Sequence, residues 1–377
     1  MKTLRRIGLA FLALMILLSA YILITGKTYV FRAIWYNFAA ISDYKHFSND
    51  TVVTATPQPW PLSRGYNQLP YPDSLASELN FLGSVGLVMI ENDSIRFERY
   101  WDGYSDSSIS GSFSMAKSIV SLLVGVALRE GKIRSLDDPA GKYIPEFNEG
   151  EKAQVTIKDL LTMSSGSDFD ESYWNPFSIT AELYYGADLY KTATTVHIVH
   201  PPGTIHKYKS GDTQLLGIIL QKVYGQNLAA LASEKLWQPM GAEHPALWST
   251  DHSGGYEKAY CCFNSNTRDF ARLGKLMLDS GKWNGIPIID SAYWAASIHP
   301  CGIPEPSGEP CDYYGYQWWL DPLHPGVFYA RGILGQYIIV IPSRKRIIVR
   351  LGKMTSPIRV HTVPKEVRYL IEWGLRT

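Results

Sequence analysis

An apolar stretch without charges opens the chain. Residues 7–24 are rich in Leu, Ile and Ala and carry no charged side chain, and this length is enough to span a bilayer. Three basic side chains precede the stretch, at Lys2, Arg5 and Arg6. Because basic residues stay on the cytoplasmic side of a span, we predict an uncleaved signal anchor over residues 1–26. The protein would then be single-pass in the cytoplasmic membrane, with its main domain periplasmic or extracellular.

The alternative is a signal peptide that is cleaved before secretion. Residues 7–24 are long for the apolar core of a signal peptide. The best small-residue cleavage site ends at Ala20, and Leu18 spoils its pattern. These two features favour the anchor.

A connector is predicted between this segment and the rest of the chain, over residues 27–70. Residues 27–43 are aromatic and partly amphipathic, and we expect them to lie along the membrane surface. Residues 51–61 contain three prolines in an extended pattern, which is typical of a spacer.

The hydrophobic pattern of a globular domain covers residues 71–377. Apolar residues at helical spacing, with caps and stops, predict helices at 74–81, 114–129, 156–163, 212–223, 228–236, 267–278, 291–298 and 365–373. Short runs bounded by turn residues predict strands at 85–90, 95–101, 314–320, 327–330, 337–341 and 347–351. The predicted fold class is therefore mixed α/β, of the α+β type in which the sheet is antiparallel. An antiparallel sheet is formed from both chain ends, is flanked by helices, and is interrupted by a helical subdomain.

Composition and charge narrow the range of partners. The chain has 377 residues, of which 46% are hydrophobic and 19% charged, as in a globular protein with a sizeable core. Its 36 basic and 35 acidic residues leave a net charge of +1. Because no basic surface is indicated, we predict no nucleic-acid partner. The sequence makes no prediction of oligomeric state.

The chain has four cysteines, and their spacing contains no Cys-x-x-Cys motif, which excludes zinc ribbons and thioredoxin-type sites. Cys301 and Cys311 bracket a loop rich in Pro and Gly and would form a disulfide in an oxidising compartment. Two unpaired thiols are the alternative. We interpret Cys261 and Cys262 as packing residues.

A serine and a lysine stand at the start of the most apolar predicted helix. Ser114 lies in its first turn, and the i, i+3 spacing puts Lys117 on the same face. The apolar residues that follow cover nearly every side of the helix, so it should be buried. Burial lowers the pKa of a lysine, which can then act as a neutral base toward a neighbouring hydroxyl. The same spacing also occurs by chance at Ser42 and Lys45, where no apolar helix follows.

Two further segments supply candidate partners for this pair. Tyr208 stands in a polar turn just before a predicted buried helix, with Ser210 two residues later. Near the C-terminus, Gly332 interrupts a predicted strand and would let a substrate approach the backbone. The N–H of Ile333 would then donate to an oxyanion. A surface tyrosine and an ordinary hairpin turn are the plain structural alternatives.

Other catalytic classes lack their motifs. The sequence has no Gly-x-Ser-x-Gly, no phosphate-binding glycine loop and no His-Glu-x-x-His. His197, His200 and His206 are close in sequence but have no carboxylate or cysteine partner in their loop. We therefore predict neither a metal site nor a cofactor.

The order of these motifs resembles the serine β-lactamase and penicillin-binding-protein superfamily. Within it, the chain is most similar to the class C-like branch that contains esterases and 6-aminohexanoate-dimer hydrolases. Three further sequence motifs are typical of this branch: Lys-Tyr-Ile-Pro-Glu at 142–146, Asp-Leu-Leu-Thr-Met-Ser-Ser-Gly at 159–166 and Arg-Asp-Phe-Ala-Arg-Leu-Gly at 268–274. The likeness runs from about residue 80 to 375 and implies the fold of this superfamily.

The resemblance also implies roles for particular residues. Ser114 matches the acylated nucleophile, Lys117 the base that activates it, and Tyr208 the tyrosine that relays a proton. The backbone N–H groups of Ser114 and Ile333 match the oxyanion hole. Tyr173 matches a cleft tyrosine that contacts the scissile amide, and we expect Trp174 beside it to bind substrate as well.

The chain departs from the family pattern at two motifs. Ala330 replaces the lysine of the third motif and is followed by Arg331, and Ser210 replaces the asparagine of the second motif. We expect the substrate to bind at Ser210, Ala330, Arg331 and Gly332. Because the cation that grips a β-lactam carboxylate is missing or displaced, the resemblance implies a serine hydrolase of small esters or linear amides. The alternatives are a β-lactamase or D-Ala-D-Ala carboxypeptidase, and a non-catalytic cell-wall-binding homologue.

Overall fold

The computed structural model describes residues 2–376. Its α-helices are α1 (Lys2–Ile24), α2 (Tyr29–Tyr36), α3 (Asp73–Phe81), α4 (Met115–Arg129), α5 (Ile157–Leu161), α6 (Ile179–Tyr185), α7 (Leu189–Thr194), α8 (Ser210–Tyr224), α9 (Leu228–Ala232), α10 (Thr267–Leu278), α11 (Ser291–Ser297) and α12 (Lys365–Arg376). Its strands are β1 (Asn49–Val52), β2 (Ser84–Glu91), β3 (Ser94–Tyr100), β4 (Ser110–Gly111), β5 (Ala246–Ser249), β6 (Phe263–Ser265), β7 (Lys282–Trp283), β8 (Ile286–Pro287), β9 (Trp319–Leu320), β10 (Phe328–Gly332), β11 (Gln336–Ile341), β12 (Arg346–Gly352), β13 (Arg359–Val360) and β14 (Val363–Pro364).

The central sheet has six strands in the order β3-β2-β12-β11-β10-β9. Every neighbouring pair is antiparallel. Because β2 and β3 come from the N-terminal part of the domain and the other four from the C-terminal part, the predicted sheet built from both chain ends is confirmed.

Side chains of the central sheet alternate between two cores. On β11, Ile338 and Val340 face the core that contains α4 and α10, whereas Tyr337, Ile339 and Ile341 face the core that contains α3 and α12. This period of two is what a strand buried on both faces requires. The predicted helices on both faces of the sheet are therefore confirmed.

The helical subdomain lies between β4 and β5 and surrounds α4. Residues 115–127 of α4 are all buried, as its nearly continuous apolar pattern predicts. Helix α8 packs against α4, α5 and α7, and residues 210–220 of α8 are buried as well. Of the predicted catalytic residues, Lys117 lies in α4, Ser114 comes just before α4, and Tyr208 comes just before α8.

Two parts of the sheet prediction were wrong. The expected strand over 314–320 is reduced to β9, because its backbone is used by a loop: Cys301 N–H donates to Tyr314 O at 2.8 Å, and Gln317 has φ 62°. A second, four-stranded sheet in the order β1-β5-β6-β4 was not predicted. Its strands have only two to four residues, which is too short for an alternating pattern to stand out.

The expected connector over residues 27–70 is folded onto the domain. Strand β1 pairs with β5, and α2 packs against α6. In the proline-rich part, Gln58 N–H donates to Gly241 O at 2.9 Å and Trp60 Nε1 donates to Arg268 O at 3.0 Å. Residues 27–70 have the composition of a spacer, but they pack along the surface of the domain.

Helix α1 is long and apolar enough to cross a membrane. Along its 23 residues only Ile22 is buried in the protein. Its end packs near α2, because Ile22 shares an apolar cluster with Tyr29, Val30 and Ala33.

The cysteines are paired differently from the expectation. The structure joins the adjacent Cys261 and Cys262, whereas Cys301 and Cys311 are free thiols. The first pair lies in a turn in which Cys262 has a φ of 68°. The cysteine spacing gives no sign of this turn.

Candidate active site

Ser114 stands at the junction between β4 and α4. Phe113 before it has φ 45°, a conformation that is uncommon for a bulky residue and is often found at functional turns. Ser114 occupies the N-cap position of α4, but its side chain makes no capping hydrogen bond. Its Oγ instead accepts a hydrogen bond from Lys117 Nζ at 2.9 Å.

Lys117 is held by three acceptors in a buried site. Besides Ser114 Oγ, its Nζ donates to Ser210 Oγ at 3.1 Å and to Tyr260 O at 3.0 Å. The ring centroids of Tyr208 and Tyr260 lie 4.9 and 5.5 Å from Nζ. Burial lowers the pKa of Lys117 to about 8, although the negative charge of Glu171 acts in the opposite direction. At pH 7 about a tenth of a lysine with this pKa is neutral, and the neutral amine is the form that a general base requires.

Tyr208 lies in the extended segment just before α8. Its ring packs against Tyr314 and Trp319, with centroid distances of 6.1 and 5.6 Å. Burial and the charge of Glu171 raise the pKa of Tyr208, and the Ser114 hydroxyl offsets part of this rise. The phenol therefore stays protonated at neutral pH, which suits a proton relay rather than a tyrosinate base.

Glu171 is a member of the site that the sequence analysis did not identify. Its carboxylate accepts hydrogen bonds from Ser210 N–H and Oγ–H, both at 2.6 Å, and from Tyr173 O–H at 2.5 Å. Lys117, Ser210, Glu171 and Tyr173 thus form one hydrogen-bonded chain. Glu171 stands in an acidic loop segment with no motif of its own, so only the fold reveals its position.

The third predicted motif lies beside the nucleophile turn. A Cβ on Gly332 would stand 2.1 Å from Ser112 O, so the glycine lets β10 approach the backbone that precedes Ser114. We expected a substrate to occupy this close approach, but the structure places Ser112 there. Ile333 lines the same cavity as Ser114. Within residues 2–376, the backbone N–H groups of Ser114 and Ile333 have no protein acceptor, as an oxyanion pair requires.

Ala330 and Arg331 are not brought to the substrate space. Ala330 is buried and pairs with Ile338. The guanidinium carbon of Arg331 lies 4.7 Å from the Trp319 ring centroid, and Nη1 donates to Thr362 O at 3.2 Å. Because neither residue lines the cavity, their expected substrate-binding role has no structural support.

A cavity of about 440 Å³ opens over Ser114. Four more of the predicted site residues line it: Tyr173, Trp174, Ser210 and Ile333. The rest of its wall includes residues that we did not assign to the site, from α2 with the turn after it and from α6: Ala33, Ile34, Phe38, Ala181 and Tyr184. Lys117 and Tyr208 are not part of the wall. The segment expected to be a connector therefore forms part of the wall of this cavity.

The three histidines considered as metal ligands are not brought together. His197 and His200 are exposed, whereas His206 is buried and its Nδ1 lies 2.9 Å from Thr162 O. His206 instead lies beside Cys301 and Cys311, with the donor atoms of all three within 4.8 Å of one another. This set offers one nitrogen and two sulfur donors, a combination that the sequence spacing did not indicate.

The whole chain was compared with known proteins. The profile of the Beta-lactamase family matches residues 73–363. The chain belongs to the β-lactamase family. The resemblance that the motifs indicated, and the serine β-lactamase fold that it implied, are thereby confirmed.

Relatives of this β-lactamase-family chain include hydrolases of amides and esters. A 6-aminohexanoate-dimer hydrolase of Paenarthrobacter ureafaciens is 26% identical over 288 residues, which are 72% of each chain. A candidate 6-aminohexanoate-dimer hydrolase from Bacillus anthracis has a TM-score of 0.69 at 22% identity and covers 89% of this chain and 91% of its own. A family VIII carboxylesterase has a TM-score of 0.62 at 17% identity, over 81% of this chain and 95% of its own. The protein therefore has a β-lactamase-type hydrolase fold, and its relatives include an amide hydrolase.

Proposed function

We propose that the protein is a serine hydrolase that cleaves a small-molecule ester or linear amide through an acyl-enzyme on Ser114. The observation that carries the proposal is the 2.9 Å contact between Lys117 Nζ and Ser114 Oγ inside a site that lowers the pKa of the lysine to about 8. A neutral amine at that distance is placed to accept the serine proton.

Acylation follows from this geometry. Ser114 Oγ bonds to the substrate carbonyl carbon while its proton passes to Lys117 Nζ. The N–H groups of Ser114 and Ile333 stabilise the oxyanion that forms. The C–O or C–N bond then breaks, and the leaving group takes the proton from Lys117 through the Tyr208 hydroxyl.

Deacylation runs through the same groups with water in place of the leaving group. Water attacks the acyl carbon, its proton passes through Tyr208 to Lys117, and the Ser114 oxygen leaves and regains a proton. The product is a carboxylic acid. Every step uses side chains, backbone N–H groups and water.

The placement of Arg331 supports esters or linear amides over β-lactams. A β-lactam carries a carboxylate that a cation in the cavity would bind, and the guanidinium of Arg331 is instead stacked on Trp319. The relative from Paenarthrobacter ureafaciens, a 6-aminohexanoate-dimer hydrolase, favours a linear amide as one accepted class.

The test is hydrolysis of p-nitrophenyl acetate and butyrate by the full chain, with mass spectrometry of the Ser114 peptide. We expect Ser114→Ala to abolish turnover and the acyl adduct. Ser118→Ala is the control, because Ser118 lies on the same helix but donates to Gln317 O at 2.7 Å and does not line the cavity. Equal rates for wild type and Ser114→Ala would contradict the proposal and favour a non-catalytic homologue.

A chromogenic cephalosporin and a D-Ala-D-Ala peptide complete the substrate panel. We expect turnover of both to be undetectable, or far slower than that of the esters. Rapid turnover of either would instead assign β-lactamase or carboxypeptidase activity.

We also propose that α1 anchors the protein in the cytoplasmic membrane, with the domain on the outer side. The charge-free part of this exposed helix, residues 7–24, is about 27 Å long and matches a hydrocarbon core of about 30 Å. Lys2, Arg5 and Arg6 lie in the first turns of the helix, before its charge-free part, and set the orientation. Membrane fractionation with N-terminal sequencing tests this, because a cleaved signal peptide would leave a soluble chain that lacks α1.

A further inference from the structure

Helix α2 exposes an apolar face next to the cavity. Ile34 is 53% exposed, Trp35 83% and Phe38, just after the helix, 63%. Together with Phe31 and Trp174, which are also exposed, these residues form what we call the apolar rim. Contiguous apolar surface of this kind on a soluble domain marks a contact with a membrane or another apolar partner.

The apolar rim lies where α1 ends. Ile22 of α1 packs with Tyr29, Val30 and Ala33 on the inner face of α2, and Tyr21 contacts Phe177 with a centroid distance of 6.3 Å. If α1 spans the bilayer, α2 lies at its surface, since Ile24 and Tyr29 bound the two helices. Exposed tryptophan is favoured at that depth.

The same segment also encloses the catalytic space. Ile34 and Phe38 line the cavity together with Ser114, and the rings of Phe38 and Trp174 meet edge to face with centroids 5.7 Å apart. The path from the exposed rim to the nucleophile is therefore bordered by apolar side chains from α2 and the Trp174 loop.

The two ends of a substrate can be assigned from Tyr208. In the proposed function Tyr208 delivers the leaving-group proton, and Tyr208 is not part of the cavity wall. The leaving group therefore faces Tyr208, and the acyl side faces the cavity.

We propose that the substrate is a membrane-resident ester or amide of a fatty acid, whose acyl chain enters the cavity across the apolar rim that lies on the bilayer. This inference rests on the proposed function and names its substrate class. Ser114 Oγ takes the acyl group, the C–O or C–N bond to the headgroup breaks, and water releases a free fatty acid.

The first experiment is an acyl-chain series of p-nitrophenyl esters, from acetate to octanoate, with the full chain in detergent. Each methylene buried in the cavity raises kcat/KM by about fourfold until the cavity is full. A flat or falling series would overturn the proposal. Loss of every rate in Ser114→Ala separates this outcome from failure of the proposed function, in which Ser114→Ala would have no effect.

The second experiment uses the full chain in phosphatidylcholine vesicles that carry a long-chain monoacylglycerol. We expect Trp35→Glu to lower release of the fatty acid by about tenfold or more, because a charge replaces an interfacial tryptophan. Hydrolysis of soluble p-nitrophenyl acetate should be unchanged, since Trp35 is not part of the cavity wall. Equal loss on both substrates, with an unchanged circular dichroism spectrum, would overturn the assignment of Trp35 to the bilayer surface.

The matched control is Phe81→Glu. Phe81 is exposed on α3, which packs with α12 on the opposite face of the sheet from α4. Its substitution should leave the vesicle assay unchanged. The same vesicle rate for Trp35→Glu and Phe81→Glu would overturn the assignment of the rim to the bilayer. Hydrolysis of monoacylglycerol in solution but not in vesicles would overturn the membrane route as well.

Discussion

The two sides of the candidate site differ in polarity and in burial. On the side of α4 and α8, Ser114, Lys117 and Ser210 are joined by hydrogen bonds of 2.9 to 3.1 Å within buried helices. On the side of α2 and α6, the wall is mostly apolar and partly exposed, and the Phe38 ring contacts Trp174 edge to face. In the proposed function the first side carries the reaction, whereas the second is a surface whose shape can change without disturbing that reaction.

The two sides of the site should also differ in how well they tolerate substitutions. A buried lysine without its acceptors is left as an unpaired polar group, which is costly. Removal of one ring from an apolar wall loses only part of its contact area. Substitutions on the chemical side should therefore abolish activity, and those on the wall should alter selectivity.

The largest effect is expected for Lys117→Met. Methionine fills the buried volume but cannot accept the Ser114 proton, so kcat/KM for p-nitrophenyl butyrate should fall by about 10⁴-fold. Lys132→Met is the control, because Lys132 is exposed beyond the end of α4. A Lys117→Met enzyme with more than a tenth of wild-type activity would exclude this lysine as the base.

Tyr208→Phe should have the next largest effect. The ring keeps its packing on Trp319, but the relay hydroxyl is lost, and a loss of about 10²–10⁴-fold is expected for alkyl esters and anilides. The loss should be smaller for p-nitrophenyl esters, whose leaving group departs without a proton. Tyr143→Phe, which removes a remote hydroxyl bound to Asp138, is the control. Equal losses for both leaving groups would argue against the relay.

Glu171→Gln should move the pH profile. Lys117 has a pKa of about 8. Below this pH the amine is protonated and cannot take the Ser114 proton, so activity should rise as the pH passes through 8. The Glu171 carboxylate stabilises the charged amine and holds its pKa up. Without this charge the midpoint of the kcat/KM profile should lie at lower pH, whereas Glu149→Gln, an exposed change elsewhere, should leave it in place. An unchanged or higher midpoint would show that Glu171 does not act on Lys117.

The same contrast explains what the sequence could predict. Ser114, Lys117 and Tyr208 stand in motifs of fixed spacing beside strongly apolar helices, and the strands β11 and β12 carry long apolar runs. These local patterns predict the helices and strands, whereas the roles of Ser114, Lys117 and Tyr208 come from the resemblance to the β-lactamase superfamily. The structure also brings these three residues together, as expected.

The wall could not be predicted in this way. Helix α2 has eight residues, and its place is set by partners far along the chain: Arg32 Nη1 donates to Tyr185 O at 3.3 Å across 153 residues. Glu171 depends similarly on Ser210, which is 39 residues away. The disulfide between the adjacent Cys261 and Cys262 lies in a turn where Cys262 has φ 68°. Long-range contacts and single backbone angles leave no periodic signal.

The smallest effect is expected on the wall, for Phe38→Ala. Loss of this ring shortens the apolar path from the rim, so the ratio of octanoate to acetate hydrolysis should fall by about four- to fifteenfold, as removal of one or two methylenes of contact would give. Phe31→Ala is the matched control, because Phe31 lies on the helix just before Phe38 and belongs to the same rim but does not line the cavity. An equal ratio in both variants would mean that the α2 segment covers the site without selecting the acyl chain. A fall confined to Phe38→Ala, with the midpoint of the pH profile unchanged, would show that the two sides of the site act independently.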